Sequence, residues 1–174
     1  MILLVHGGAG FRRPGTRLLK KLTESFSPGF HILQRGGSSL EAVTESIRVL
    51  EDSGLFNAGS GANLQFDGVR RLDASLMEGK YLNAGSVIGL EGIRNPVMTA
   101  RIIMQLPHVI LTHKGAKGIA DAHKLAPLPQ PDKKAIDKLE MIKRSEKEFT
   151  KLHKRYFSTV GAVALDKYGN LAAG

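Results

Sequence analysis

Cysteine is absent from this 174-residue chain, which excludes disulfide cross-links and thiolate metal sites. Nowhere do about 18 apolar residues run together, so no membrane-spanning helix is expected. The amino terminus, Met1-Ile2-Leu3-Leu4-Val5-His6-Gly7-Gly8, is apolar for only its first residues and has no basic stretch. It reads as a strand entering a glycine turn rather than a signal peptide. With no cysteine and no signal peptide, a cytoplasmic home is expected. The six histidines are scattered, with no pair at helical ligand spacing near an acid, so no zinc site is expected. The cluster His6-Gly7-Gly8-Ala9-Gly10 follows a strand but lacks both Gly-x-Gly-x-x-Gly spacing and a Gly-Lys-Ser/Thr ending. Spacing therefore gives no support for nucleotide binding, and His6 reads as a hydrogen-bonded structural histidine.

What is present is an ordinary globular composition, 42% apolar, in a chain of one domain's length. The net charge of +9 would suit nucleic acid, but it is concentrated. Residues 114–158 hold twelve Lys/Arg against six Asp/Glu, with few aromatics and no nucleic-acid motif. That segment reads as a solvated helix and linker face, and neither a nucleic-acid nor a membrane partner is expected.

Ile2 to Val5 is a buried strand leading into the glycine turn. Leu18 to Gln34 reads as helix interrupted near Ser27-Pro28-Gly29 and ended by Gly36-Gly37. Ser38 with Glu41 three residues on is a capping box for a second helix, whose apolar stripe is Leu40, Val43, Ile47 and Leu50. A tight glycine-rich loop follows at Asn57-Ala58-Gly59-Ser60-Gly61. Asn63 to Phe66, Asp67-Gly68 and Val69 to Met77 predict a hairpin, and Tyr81 to Leu90 a further strand. Asn95-Pro96 starts a helix, with Asn95 as its N-cap and Val97, Ala100, Ile103 and Met104 turned inward. A strand over His108 to Thr112 and a helix over Lys114 to Lys124 come next. Pro127, Pro129 and Pro131 break the chain. Ile136, Leu139, Ile142, Phe149, Leu152 and Tyr156 then recur at helical spacing. Val160 to Leu165 is a strand, Asp166 to Asn170 a turn, and Leu171 opens another strand. Mixed strands and helices with an antiparallel hairpin predict a layered α+β fold. Three parts are expected: 1–126 as helix and strand layers, 127–158 as a basic linker and helix, and 159–174 as the start of a new strand unit.

Three residues stand out against this background. Thr159 puts a hydroxyl at the head of a strand, directly behind the linker; by itself it reads as an ordinary strand residue. Asn57 sits in a loop rich enough in glycine to orient a reacting group, with a structural turn role equally open. Asp73 lies within a strand, where aspartate is disfavoured. It is either a solvent-facing position or a buried carboxylate that fixes a loop.

Together these segments resemble the plant-type asparaginase and isoaspartyl peptidase family, which includes glycosylasparaginase. The matching residues, in family order, are Val5-His6-Gly7-Gly8-Ala9-Gly10, Leu50-Glu51 with Leu55-Phe56-Asn57-Ala58-Gly59-Ser60-Gly61, Leu72-Asp73-Ala74-Ser75-Leu76-Met77-Glu78-Gly79, Ala84-Gly85-Ser86-Val87, Asn95-Pro96-Val97 with Ala100-Arg101, and Thr159-Val160-Gly161-Ala162-Val163-Ala164. Each is weak alone; in combination they are specific.

The resemblance implies an α+β, four-layer αββα sandwich of the N-terminal nucleophile hydrolase type, only part of it supplied by this chain. It implies self-cleavage of the Ser158–Thr159 bond, which would make Thr159 the catalytic nucleophile. Asn57 would position the nucleophile or substrate, and Asp73 would support the neighbouring strand. The loop carbonyls of Leu50, Glu51, Ser53, Phe56, Ala58 and Ser60 would wrap a structural sodium ion, with no other cofactor. The reaction implied is hydrolysis of the side-chain amide of L-asparagine or of β-aspartyl peptides. The partners implied are the small-molecule substrate and a second subunit carrying the remaining active-site residues, in an (αβ)2 assembly. The family's substrate clamp lies beyond the position of Gly174, so this chain alone is expected to be inactive. The alternative is a truncated, non-catalytic binding or assembly subunit.

Overall fold

The computed structural model describes residues 1–8, 15–144 and 159–174. Ser158 and the expected helical positions Phe149, Leu152 and Tyr156 lie outside the described residues. Within them, the strands β1 (Ile2–His6), β2 (Leu72–Glu78), β3 (Ala84–Leu90), β4 (Ile110–Thr112), β5 (Gly161–Leu165) and β6 (Leu171–Ala173) form one sheet in the order β1-β5-β6-β2-β3-β4. All neighbours are antiparallel except β3 and β4, which run parallel. The helices are α1 (Thr16–Gln34), α2 (Ser39–Asp52), α3 (Pro96–Ile103), α4 (His113–Ala122) and α5 (Lys133–Lys143). This is an α+β architecture with a mixed sheet.

Strand alternation sorts the side chains to the two faces. Leu3, Leu76, Ala162, Ala164 and Ala172 point to one face and build a core with Leu33, Leu40, Val43 and Ile47 of α1 and α2. Farther along, Val87 and Leu90 meet Ile103 of α3 and Ala116 and Ala120 of α4. The opposite face carries Ile2, Leu4, Val163, Leu171, Met77, Ile88 and Ile110, all exposed, with Leu4 at 62% and Leu171 at 60%. A contiguous apolar sheet face of this kind marks a contact surface.

Several elements follow their local chemistry. Ser38 Oγ accepts the Glu41 N–H while the Glu41 carboxylate accepts the Ser38 N–H, closing the capping box. Helix α1 ends in a paired turn: Gly36 (φ +84°) donates to Leu33 O and Gly37 to Ile32 O, which satisfies carbonyls that the helix leaves open.

Other expectations are corrected. Helix α1 runs unbroken through Pro28. The hydrogen bond that the proline cannot make is outweighed by packing. Gly29 lies so close to α2 that a Cβ there would fall 2.2 Å from Ser46 Oγ and 2.7 Å from Ala42 O. The hairpin arm over 63–66 is not a strand. Gln65 and Val69 close a short turn instead, because Asn63 spends its hydrogen bonds on the preceding loop. Strand β3 starts at Ala84 rather than Tyr81, since the Glu78 carboxylate gathers the N–H groups of Lys80, Tyr81 and Asn83 into a turn. Asn95 precedes α3 but gives it no side-chain cap; Glu51 supplies that group instead.

Candidate active site

Register places the site. Strand β6 pairs with β2 only at Met77 and Glu78, and its last pairing to β5 is the exchange between Gly174 and Ala162. Beyond that point the start of β5 and the Leu72–Ser75 edge of β2 stand apart, and a cleft of about 1150 Å³ opens there. Thr159, Asn57, Asp73, His6 and the buried Glu51 all line it.

Thr159 is exposed and lies two residues ahead of β5, so Val160 rather than Thr159 leads into the strand. Its Oγ1 makes a long 3.5 Å contact with Val160 O. Gly161 follows because the His6 ring occupies the space of a side chain: a Cβ would lie 2.3 Å from His6 Nε2. His6 Nδ1 accepts the Gly8 N–H at 3.2 Å, which holds the turn after β1. Gly7 in that turn admits the Phe56 ring, 2.4 Å from where a Cβ would be. That contact seats the 53–61 loop beside β1.

Asn57 is fixed by its Oδ1, which accepts both the backbone N–H and the side-chain Nδ2 of Asn63 at 2.9 Å each. Asn63 Oδ1 in turn accepts Lys138 Nζ at 2.7 Å. Helix α5 lies against the 63–66 turn through this bond, through Lys143 Nζ over the Phe66 ring, and through Leu139 and Ile142 in the cleft wall.

Asp73 is exposed rather than buried. Its Oδ1 accepts the Gly89 N–H at 2.8 Å, next to a register shift between β2 and β3. Gly89 has φ +66°, and a Cβ there would strike the His113 ring at 2.7 Å. The carboxylate thus pins an irregular stretch of β3 from the cleft side.

Glu51 is 2% exposed. Its Oε1 accepts the Val97 N–H at the start of α3, and its Oε2 accepts Asn95 Nδ2, both at 3.2 Å. Burial pushes its carboxyl up from 4.5 to about 8; the two hydrogen bonds pull the other way without winning. Asn95 Nδ2 also donates to Asp52 Oδ1 at 3.0 Å. Arg71, at the cleft rim, is engaged by Gln65, Asp67 and Glu91.

Sequence reasoning named Thr159, Asn57 and Asp73, and the structure brings all three to one cleft. It missed Asn63 and Lys138, whose only signal was two polar side chains next to apolar positions. It assigned Glu51 a backbone carbonyl alone, whereas the side chain is the part that joins α2 to α3. Among the described residues no cluster of His, Asp and Glu has a metal-holding arrangement, and no helix is long and apolar enough to cross a membrane.

A mixed sheet with α1–α4 packed on one face and a cleft at the Leu72–Ser75 edge of β2 defines a layered α+β protein. The chain belongs to the asparaginase family, whose model matches residues 1–174, and that family implies the N-terminal nucleophile hydrolase fold. It is 36% identical to an isoaspartyl peptidase of Salmonella typhimurium over 189 residues, covering 99% of this chain and 60% of that protein. An isoaspartyl peptidase/L-asparaginase of Bos taurus is 36% identical, covering 98% of this chain and 58% of its own length. A plant-type L-asparaginase of Pyrococcus furiosus is 38% identical, covering 94% and 59%. The chain therefore spans about three fifths of the length of these relatives.

Proposed function

We propose that this chain carries the nucleophile of an amidohydrolase that cleaves the side-chain amide of L-asparagine or the isopeptide bond of β-aspartyl peptides. The observation that carries the reading is the placement of Thr159, exposed on the cleft together with Asn57, two residues ahead of β5. The relatives' names supply the substrate class.

A threonine hydroxyl needs a base to take its proton. Scission of the Ser158–Thr159 bond gives Thr159 an α-amine with a pKa of about 8, on the same residue as the hydroxyl. Scission begins with attack of Oγ1 on the Ser158 carbonyl. The C–N bond breaks as the nitrogen takes the hydroxyl proton, and water hydrolyses the resulting ester. In turnover, the freed amine takes the Oγ1 proton as oxygen attacks the substrate's amide carbonyl. The tetrahedral intermediate collapses, the amine returns the proton to the leaving nitrogen, and ammonia or an amino acid departs. Water, activated by the same amine, hydrolyses the acyl-threonine ester, releasing aspartate and restoring the hydroxyl. Asn57, on the same cleft, positions the nucleophile or the substrate. Asp73 keeps β3 in place through Gly89.

In this reading the open apolar face of the sheet receives a second sheet and makes the four-layer sandwich. The second sheet and the substrate clamp come from the portion of the relatives' length outside this chain, within a second subunit that begins at Thr159, in an (αβ)2 assembly. Intact-mass analysis of the protein supplied with that portion checks the proposal. A fragment ending at Ser158, a new terminus at Thr159 and ammonia release from asparagine are expected. An uncut chain that still hydrolyses asparagine would refute the nucleophile assignment, and a cut protein inert to asparagine and β-aspartyl dipeptides would favour a non-catalytic assembly role.

The 50–60 loop is proposed to hold a structural sodium ion through the carbonyls of Leu50, Glu51, Ser53, Phe56, Ala58 and Ser60. Neutral carbonyl oxygens suit such a hard cation. The loop is tightly drawn, so that a Cβ at Gly59 would lie 2.6 Å from Glu51 O and one at Gly61 2.3 Å from Phe56 O. The ion would stiffen the loop that carries Asn57 and take no part in the bond changes. Exchanging sodium for choline at constant ionic strength is expected to lower the melting temperature by several degrees; an unchanged melting curve would remove the ion from the proposal.

A further inference from the structure

Residues 126–144 are tied firmly to the body of the chain at their start and held lightly beyond it. Arg94 N–H donates to Ala126 O at 3.0 Å and Leu128 N–H to Gly92 O at 2.9 Å, on either side of an antiparallel bridge between Ile93 and Pro127. Pro129 and Pro131 then carry the chain to α5. That helix lays only a narrow stripe on the cleft. Leu139 and Ile142 are buried and line it. Ile136 and Met141, the other large apolar side chains of α5, are exposed.

Against this stripe stands a cost at the start of the helix. Arg70 is 8% exposed. Its Nη1 donates to Pro129 O at a long 3.3 Å, and its Nε is buried with no partner among the described residues. Burial lowers its pKa from the ordinary arginine value, and the Asp132 carboxylate pulls the other way. A buried charge with incomplete hydrogen bonding favours any state that returns it to water. The helix adds to the load. Its N-terminus carries partial positive charge, and its first turn holds Lys133 and Lys134 with no acidic residue. Asp132 is engaged as the cap, accepting the Ala135 N–H at 2.8 Å.

We infer that residues 126–144 form a strap along one wall of the cleft, hinged at the Ile93–Pro127 bridge, closed by Leu139 and Ile142, and loaded toward opening by Arg70. Opening removes that wall and admits larger groups to the cleft beside Ala62, which is buried, lines the cleft and precedes the 63–66 turn on which α5 lies. The inference goes beyond the proposed hydrolysis and uses none of its steps.

The lack of cysteine makes the test direct. Ala62→Cys places one thiol in the cleft. Ala116→Cys, on the fully buried face of α4, places one that only global unfolding uncovers. Each chain is labelled with N-ethylmaleimide and with a polyethylene-glycol maleimide. Leu139→Asp is expected to raise the rate of the bulky reagent at Ala62→Cys about tenfold and to leave Ala116→Cys within about twofold. Arg70→Met removes the buried charge and keeps the bulk. Lys133→Glu with Lys134→Glu, at two exposed positions, supplies the first turn with acid. Each is expected to slow the bulky reagent at Ala62→Cys about threefold. Equal acceleration at both thiols by Leu139→Asp, an unchanged rate at Ala62→Cys, or faster labelling in Arg70→Met or the double lysine variant would overturn the strap. Because no step of the readout is enzymatic, a protein inert to every amide substrate would sink the proposed function and leave this result standing.

Discussion

Thr159→Val abolishes both scission before residue 159 and amide hydrolysis: that is the expected result in the protein supplied with the remainder of its relatives' length. Valine keeps the branched shape and removes only the hydroxyl. Because Thr159 is exposed, the melting temperature should stay within about two degrees, as for ordinary surface substitutions. Removing a nucleophile of this kind costs at least about 10⁴-fold in kcat. Thr159→Ser keeps an oxygen nucleophile and is expected to retain scission and a measurable fraction of turnover. The two substitutions separate a chemical role from a steric one. A Thr159→Val protein that is uncut but hydrolyses asparagine at a rate near wild type would show that the nucleophile lies elsewhere.

Stability that falls from pH 5 to pH 8 is the second expected result, with Glu51 as its source. In the folded chain burial holds the Glu51 carboxyl up at about 8, against 4.5 unfolded. Between these values the folded state keeps a proton that the unfolded state has lost, so rising pH favours unfolding. The Glu51 contribution is complete below about 4.5, declines by about 1.4 kcal/mol per pH unit, and is gone above about 8. In sodium-free buffer the charged side chains facing Glu51 do not cancel this slope. Asp52 repels the ionised form, and Arg48, which favours it, is held by Glu45 and Asp52. The carboxylates whose pKa is depressed, Glu41 and Asp166 among them, lose their contribution only at more acid pH. Urea denaturation at intervals from pH 5 to pH 8 measures the slope. Glu51→Gln, which cannot ionise, should flatten it. Glu51→Ala, which strands the Val97 N–H and Asn95 Nδ2, should cost about 2–4 kcal/mol at pH 5. Equal slopes in wild type and Glu51→Gln would remove Glu51 as the source.

Both effects start from residues that the sequence marks, though not equally. Thr159 stands out through its position behind a linker and ahead of a strand pattern, and through the company of the other matching segments. Glu51 stands out only as a member of a loop. Asn95-Pro96 correctly announced the start of α3, because proline at the first helical position is a local preference. Which group caps α3 was not legible: Glu51 reaches Val97 across 46 residues, and only the packing of α2 against α3 brings them together. The hairpin expected over 63–77 failed for a related reason. Asp67-Gly68 does make a turn, but Asn63 is bound to Asn57, so its arm never enters the ladder.

What the sequence determined by itself is the set of elements and their chemistry: the capping box at Ser38, the end of α1 at Gly36, the strands around Asp73, and a hydroxyl residue ahead of β5. Each depends on residues within a few positions of one another, where backbone preference and hydrogen-bonding partners are read directly from the chain. Only the tertiary structure decided that Thr159, Asn57 and Asp73 share one cleft, that Glu51 is buried deeply enough to hold its proton near neutral pH, and that Lys138 reaches Asn63 across 75 residues. Those outcomes depend on strand register and helix docking, which bring distant parts of the chain within hydrogen-bonding distance and exclude water from between them.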